Sequence, residues 1–255
     1  VKRSDGRLSR VREKQAVRQL TSLLARLDRT LPRVTARDTR RVLGSQERLK
    51  SLHETGREGL WEEFGFCLDV CESRLTGGGR GVAISQGKVP AGHLVALYPG
   101  TVYMPHEPLL LQSLRNPFVF RCVDGVMIDG NHRGLSRWIY KSCAYRDVVG
   151  GGDMSCDVTW LTGLPSNPLA VGQMVNNHTR EVPSNVEYAE VTIPYDTLPQ
   201  HLWRLLPNVY YSGTLLGEEQ SGGGGMRCVV LMSTTDIDPG TELFSSYLTL
   251  VHTAS

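Results

Sequence analysis

Leu8, Val11, Leu20, Leu23, Leu24 and Leu27 recur at helical spacing with arginines between them, which predicts an amphipathic helix over residues 8–27. Pro32 ends it, since a proline cannot donate the next helical hydrogen bond. Asp38 is placed to cap a second helix reaching about Leu52, with Val42, Leu43, Leu49 and Leu52 on one side. Leu60, Trp61, Phe64 and Phe66 then form an apolar cluster expected to dock the helices on the body of the chain. From Gly77 the period changes. Residues 82–84 and 94–98 are short β-type runs separated by Pro90-Ala91-Gly92. Residues 118–122 and 126–128 flank Asp124-Gly125, a strong hairpin signal. Residues 186–193 and 228–232 read as further strands, and Asp238-Pro239-Gly240 as a turn. Short strands punctuated by Gly and Pro imply a mainly β (β+α) body behind a helical N-terminal region. Two insertions, at about 130–166 and 212–226, read as loops grown outward. The second contains Gly222 to Gly225, a tract expected to be mobile for its backbone entropy.

The 255 residues suit one sizeable domain with an appendage: a basic helical region 1–65, a body 66–248 and a tail 249–255. No stretch approaches the roughly 18 consecutive apolar residues of a membrane span. The first twenty residues lack the apolar run of a secretory signal, so no membrane contact and an intracellular place are expected. The six cysteines, Cys67, Cys71, Cys122, Cys143, Cys156 and Cys228, include no C-x-x-C pair and read as reduced, buried thiols with no metal site. The net charge of +2 hides an asymmetry. Residues 1–60 carry 16 Lys/Arg against 7 Asp/Glu, and residues 61–255 carry 12 against 19. A basic arm on an acidic body suggests two surfaces with different partners. The arm suits an acidic protein or, more weakly, nucleic acid, and the body suits a Lys/Arg-rich peptide.

Several chemistries lack their minimal signatures. Gly79-Arg80-Gly81 would need a glycine at Ile84 for a dinucleotide fingerprint. Gly87-Lys88 is followed by Val89, so a phosphate loop fails. There is no H-E-x-x-H and no G-x-S-x-G.

Four short patterns remain, in this order: Gly79-Arg80-Gly81, Tyr98-Pro99-Gly100, Val175-Asn176-Asn177 and Thr241 to Tyr247 (Thr-Glu-Leu-Phe-Ser-Ser-Tyr). Together they resemble the signature set of the SET domain, the fold of most protein lysine methyltransferases. The resemblance covers roughly residues 66–247. It implies short curved sheets with a knot-like crossing of the C-terminal segment, and S-adenosyl-L-methionine as cofactor. By this resemblance Gly79, Arg80 and Gly81 bring main chain against the donor, and Asn176 and Asn177 hold it. Asn177 stands where the family has His, and Gln173 where it commonly has Arg. An alternative register would pair Asn177 with His178 but moves Gln173 out of place. Tyr247 matches the catalytic tyrosine whose hydroxyl lies beside the transferring methyl and also contacts the donor. Tyr98, in the matching Tyr-x-Gly motif, lines the lysine channel as a second catalytic tyrosine by this resemblance, or else is a half-buried core tyrosine. Ser245 stands at the channel position that influences how many methyl groups fit, and Ser246 replaces the usual Asp. A small hydroxyl at 245 leaves room for more than monomethylation.

The resemblance narrows to a subgroup without the cysteine-rich zinc segment found after the domain elsewhere in the family. Some other element, the 130–165 insertion or the N-terminal arm, is then expected to finish the substrate channel. Substrates would be Lys/Arg-rich segments, histone or non-histone, and family habit places the protein in the nucleus, with the cytoplasm open. The departures at Asn177, Ser245 and Ser246 support a second reading, a catalytically weak module that binds a partner through the retained fold.

Overall fold

The computed structural model describes residues 2–3, 10–148, 152–213 and 225–246. Three helices come first: α1 (Arg10–Thr30), α2 (Ala36–Leu43) and α3 (Gln46–Phe64). Ala16, Leu20, Leu23, Leu24 and Leu27 make the buried stripe of α1, whereas Val11, expected on the same face, is 75% exposed because the first turn of the helix extends past the body, and Leu8 lies outside the described residues. The single helix expected over 38–52 is instead two. Thr35, not Asp38, caps α2 by accepting the Asp38 N–H at 3.2 Å. Gly44 then breaks the run, and Ser45 caps α3 by accepting from the Arg48 N–H. Gly65, at φ +73°, ends α3 in the left-handed conformation that glycine adopts without strain. Trp61 is not part of the docking cluster: it stands 46% exposed, while Leu60 and Phe66 are fully buried.

The helices are fixed to the body by specific polar contacts. Gln19 Oε1 accepts the Leu94 N–H at 3.0 Å, Arg12 meets Glu187 at 2.7 Å, and Arg204 meets Asp28 at 2.9 Å. Helix α3 approaches so closely that a Cβ at Gly56 would run into the carbonyl of Ser166. Alanine is the better helix former by about 1 kcal/mol, but the obstacle here is backbone and cannot swing away. Gly56→Ala is therefore expected to destabilise the protein by about 1–3 kcal/mol, read as a lower midpoint in urea. An unchanged or higher midpoint would mean that α3 slides freely.

The body holds β1 (Lys2–Arg3), β2 (Phe66–Glu72), β3 (Arg80–Gly87), β4 (Leu94–Tyr98), β5 (Gly100–Tyr103), β6 (Val119–Arg121), β7 (Met127–Asp129), β8 (Asn176–Asn177), β9 (Val186–Pro194), β10 (Asn208–Tyr210), β11 (Gly225–Ser233) and β12 (Phe244–Ser246). They form three small sheets, ordered β1-β6-β7-β5-β10, β4-β11-β9-β12-β8 and β2-β3. The Asp124-Gly125 hairpin forms as the sequence predicts, with β6 and β7 antiparallel and Phe120 opposite Ile128. Strand β4 is buried at every position, which explains its unbroken apolar run.

The first insertion is not an outward loop. It carries α4 (Gly134–Arg146) and a short 3-10 turn, and it has its own buried cluster of Tyr140, Cys143, Ala144, Met154, Cys156, Val158, Trp160 and Leu161. The Tyr140 hydroxyl donates to the Asp157 carbonyl at 2.6 Å, and its ring meets Trp160 edge-on at 5.0 Å. The run Gly150-Gly151-Gly152 gives this segment the look of a loop in the sequence, and the apolar residues around it are spread too thinly to show a period. In the second insertion, residues 214–224 lie outside the described residues. All six cysteines are free thiols, five of them buried and Cys71 half-buried.

Candidate functional site

The site is built where three chain segments meet. Segment 73–81 turns into β3, with the Ser73 N–H donating to the Gly79 carbonyl at 2.8 Å. Gly79 has φ +62°, and nothing lies within 4 Å of where its Cβ would be, so conformation and not crowding requires glycine there. Gly81 is the reverse case. Its backbone is extended, but a Cβ would overlap the carboxylate of Glu242 and come within 3.4 Å of Asn176 Nδ2.

Glu242 is the hub. It is 1% exposed and accepts from Ser73 Oγ at 2.7 Å, the Arg74 N–H at 2.8 Å and Asn176 Nδ2 at 3.4 Å. Asn176 Nδ2 also donates to the Arg80 carbonyl at 3.1 Å. One carboxylate thus ties the glycine turn, the asparagine pair and the C-terminal segment together. Three donors on one buried charge make it far stronger than a surface contact.

Strand β12 lies between β8 and β9, parallel to both, with Ser245 opposite Asn177 and Val186. Asn185 holds it in place: its Oδ1 accepts the Phe244 N–H at 2.8 Å, and its Nδ2 donates to the Glu242 carbonyl at 2.9 Å. Ser245 is fully buried, and its hydroxyl donates to the Asn176 carbonyl at 3.2 Å. Asn177 is half-buried beside it. Tyr247 comes directly after β12 but lies outside the described residues.

Tyr98 is fully buried. Its hydroxyl donates to the Phe118 carbonyl at 2.8 Å, and its ring packs among Phe120 and Tyr188 and against Gly130. Of the sequence-derived candidates, Gly79, Arg80, Gly81, Asn176, Asn177 and Ser245 converge, while Tyr98 sits in the core.

A cleft of about 450 Å³ opens beside the Arg80–Asn176 bond. Val70, Pro165, Val171 and Met174 give it an apolar wall, Gln173 lies at its back, and Arg80, His132, Arg133 and Arg137 supply the polar side. Three of those, His132, Arg133 and Arg137, come from α4 and the turn before it. Sequence reasoning missed them because nothing in their local pattern marks a site. Asn185 and the hub role of Glu242 were missed for the same reason: both depend on contacts across more than fifty residues. Away from this region, Cys122, Asp124 and Glu190 bring potential metal-binding atoms within 4.8 Å of one another. There, however, Arg227 faces Asp124, Glu190 accepts the Val123 N–H, and burial pushes the Cys122 thiol up to about 12.

Helices packed on several short sheets, with the C-terminal strand laid beside the asparagine pair, are compatible with the SET fold. Over 194 residues, 76% of its length, the chain is 47% identical to SET domain-containing protein 9 of Homo sapiens and spans 62% of that relative's length. Over 194 residues it is 46% identical to SET domain-containing protein 9 of Pongo abelii, spanning 68% of it. The chain belongs to the SET domain family. No family model matches it. Among the described residues, no helix is long and apolar enough to cross a membrane.

Proposed function

We propose that the chain is an S-adenosyl-L-methionine-dependent protein-lysine N-methyltransferase. The observation that carries this reading is the convergence of Gly81, Asn176 and the segment leading to Tyr247 on one buried carboxylate, at the edge of an open cleft. Membership of the SET domain family supports methyl transfer to protein as the class of reaction. The residues fit the cofactor. Gly79 leaves open space where a side chain would stand, and the adjoining cleft pairs an apolar wall with a cationic one. That lining suits a molecule with an aromatic body and a charged amino-acid end.

In this reading Gly79, Arg80 and Gly81 present main chain to the donor, and Asn176 and Asn177 complete the grip. When bound, the donor supplies an activated methyl group. A lysine amine has an ordinary pKa of about 10.4 and is protonated at neutral pH. Burial in a dry channel lowers that value and exposes the lone pair. Tyr247 would orient the amine, and alignment of this kind contributes up to about 7–11 kcal/mol of barrier reduction. The knot-like crossing belongs to this proposal and is supported by β12 lying between two strands from the middle of the chain. Tyr98, fully buried with its hydroxyl donating to the Phe118 carbonyl, fits the core-tyrosine alternative better than a place in the lysine channel.

Calorimetric titration with the cofactor, then transfer of labelled methyl to an unbiased peptide array, tests the reading. Binding with labelling of Lys/Arg-rich peptides is the expected result. No cofactor binding would leave the alternative, a partner-binding module. Contact of the N-terminal helices with nucleic acid is the weaker element, because Arg12, Arg26 and Arg57 already face carboxylates.

The buried Ser245 hydroxyl, already engaged with the Asn176 carbonyl, adds little bulk to the channel. Mass spectrometry of the product is therefore expected to show di- or trimethyllysine. A series that stops at one methyl overturns this assignment.

A further inference from the structure

We propose that the guanidinium groups of Arg80, Arg133 and Arg137 clamp the carboxylate at the amino-acid end of the methyl donor, an assignment that rests on the methyltransferase reading above. Its basis is an unbalanced charge. The cleft lining contains these three arginines and His132 but no Asp or Glu. Elsewhere in the fold guanidinium groups meet carboxylates, as Arg26 does with Glu63, Arg146 with Asp147, Arg204 with Asp28 and Arg227 with Asp124. Among the described residues none of the three cleft arginines does. Arg133 Nε donates to His132 Nε2 at 3.1 Å, and Arg137 Nη1 donates to the Leu161 carbonyl at 2.6 Å. The side chain of Arg80 is exposed at the cleft edge, while its carbonyl is held by Asn176.

Like charges gathered in one concave wall repel one another and strengthen the field toward an incoming anion. The imidazole of His132 feels all three. Burial first, then Arg133, Arg80 and Arg137 in turn, hold it below its ordinary value. It is therefore neutral at neutral pH. With Nε2 accepting from Arg133, its proton sits on Nδ1, a buried atom with no acceptor. Helix α4 adds to the field. It starts at this wall, its first turn carries no acid, and Arg133 at the cap position makes no side-chain capping bond. Three guanidiniums and the unpaired imidazole N–H call for a compact, acceptor-rich anion. A carboxylate meets that description and can be held bidentately by a guanidinium fork. Gln173 on the same lining is neutral, so the positive charge of this wall comes from Arg80 on β3, Arg133 and Arg137.

The test compares S-adenosylhomocysteine with 5′-methylthioadenosine, which has the same nucleoside but no carboxylate, by calorimetry on the full chain. A charge-assisted hydrogen bond contributes enough for about a tenfold change in affinity. Arg80→Gln and Arg133→Gln are each expected to weaken S-adenosylhomocysteine by about tenfold or more while leaving 5′-methylthioadenosine within about threefold. Arg133→Lys should recover part of the loss. Raising salt should weaken the first ligand and spare the second. Unchanged S-adenosylhomocysteine affinity in both variants overturns the clamp alone, as does an equal loss for both ligands, which would report local damage. Failure of the wild-type protein to bind S-adenosylhomocysteine overturns the methyltransferase reading and the clamp with it.

Discussion

On the proposed methyltransferase reading, Tyr247→Phe is expected to lower the rate of methyl transfer by about 10²–10³-fold while S-adenosylhomocysteine still binds. A hydroxyl positioned beside developing charge carries a loss of that size when removed. The ring itself is kept, so the variant removes a single oxygen. Tyr247 comes directly after Ser246, whose strand pairs with Glu187, and Ser245 one step earlier pairs with Asn177. The chain therefore arrives at position 247 from a strand that is fixed on both sides. Single-turnover transfer from labelled donor measures the chemical step, and calorimetry measures binding. A rate within about tenfold of wild type would remove Tyr247 from the catalytic role, since it is too small a loss for an oriented catalytic hydroxyl.

Glu242→Ala should have the largest effect on stability. It leaves the Ser73 hydroxyl and the Arg74 N–H without their shared acceptor and the Asn176 amide with only the Arg80 carbonyl, around a carboxylate that is itself 1% exposed. Each stranded donor costs about 1–3 kcal/mol, and the lost side chain opens a void beside Gly81. A total of about 3–5 kcal/mol is expected. For a chain of this size that corresponds to a fall in Tm of roughly 6–20 °C. Glu242→Gln keeps one oxygen acceptor and should fall between the two. Donor affinity should drop with stability, because the same carboxylate holds the Gly81 turn against Asn176. A Tm within about 2 °C of wild type, at most about 1 kcal/mol, would show that the hub is not a structural staple.

Sequence pattern carried much of the fold. The stripe of α1, the Asp124-Gly125 hairpin and the strands containing residues 94–98, 186–193 and 228–232 were legible because each rests on local periodicity or turn chemistry. The split between α2 and α3 was not, because it depends on two capping side chains, Thr35 and Ser45, winning over continued helix. The packed state of the first insertion was hidden as well. Tyr140, Met154, Cys156 and Trp160 are too far apart along the chain to show a period, yet they share one cluster.

The candidate site divides along the same line. Gly79, Gly81, Asn176 and Tyr247 were recognisable as residue types in short ordered patterns, and the order of those patterns pointed to the family. Which of them touch was decided by the fold. Gly81 must be glycine because Glu242, 161 positions later, fills the space beside it. Arg133 and Arg137 line the cleft because α4, packed on β5 and β10, starts at the wall that Arg80 of β3 also lines. Local signals are written in neighbouring residues. A buried charge network instead takes its energy from groups that become neighbours after the chain has collapsed, when water is gone and each donor must find an acceptor within the protein.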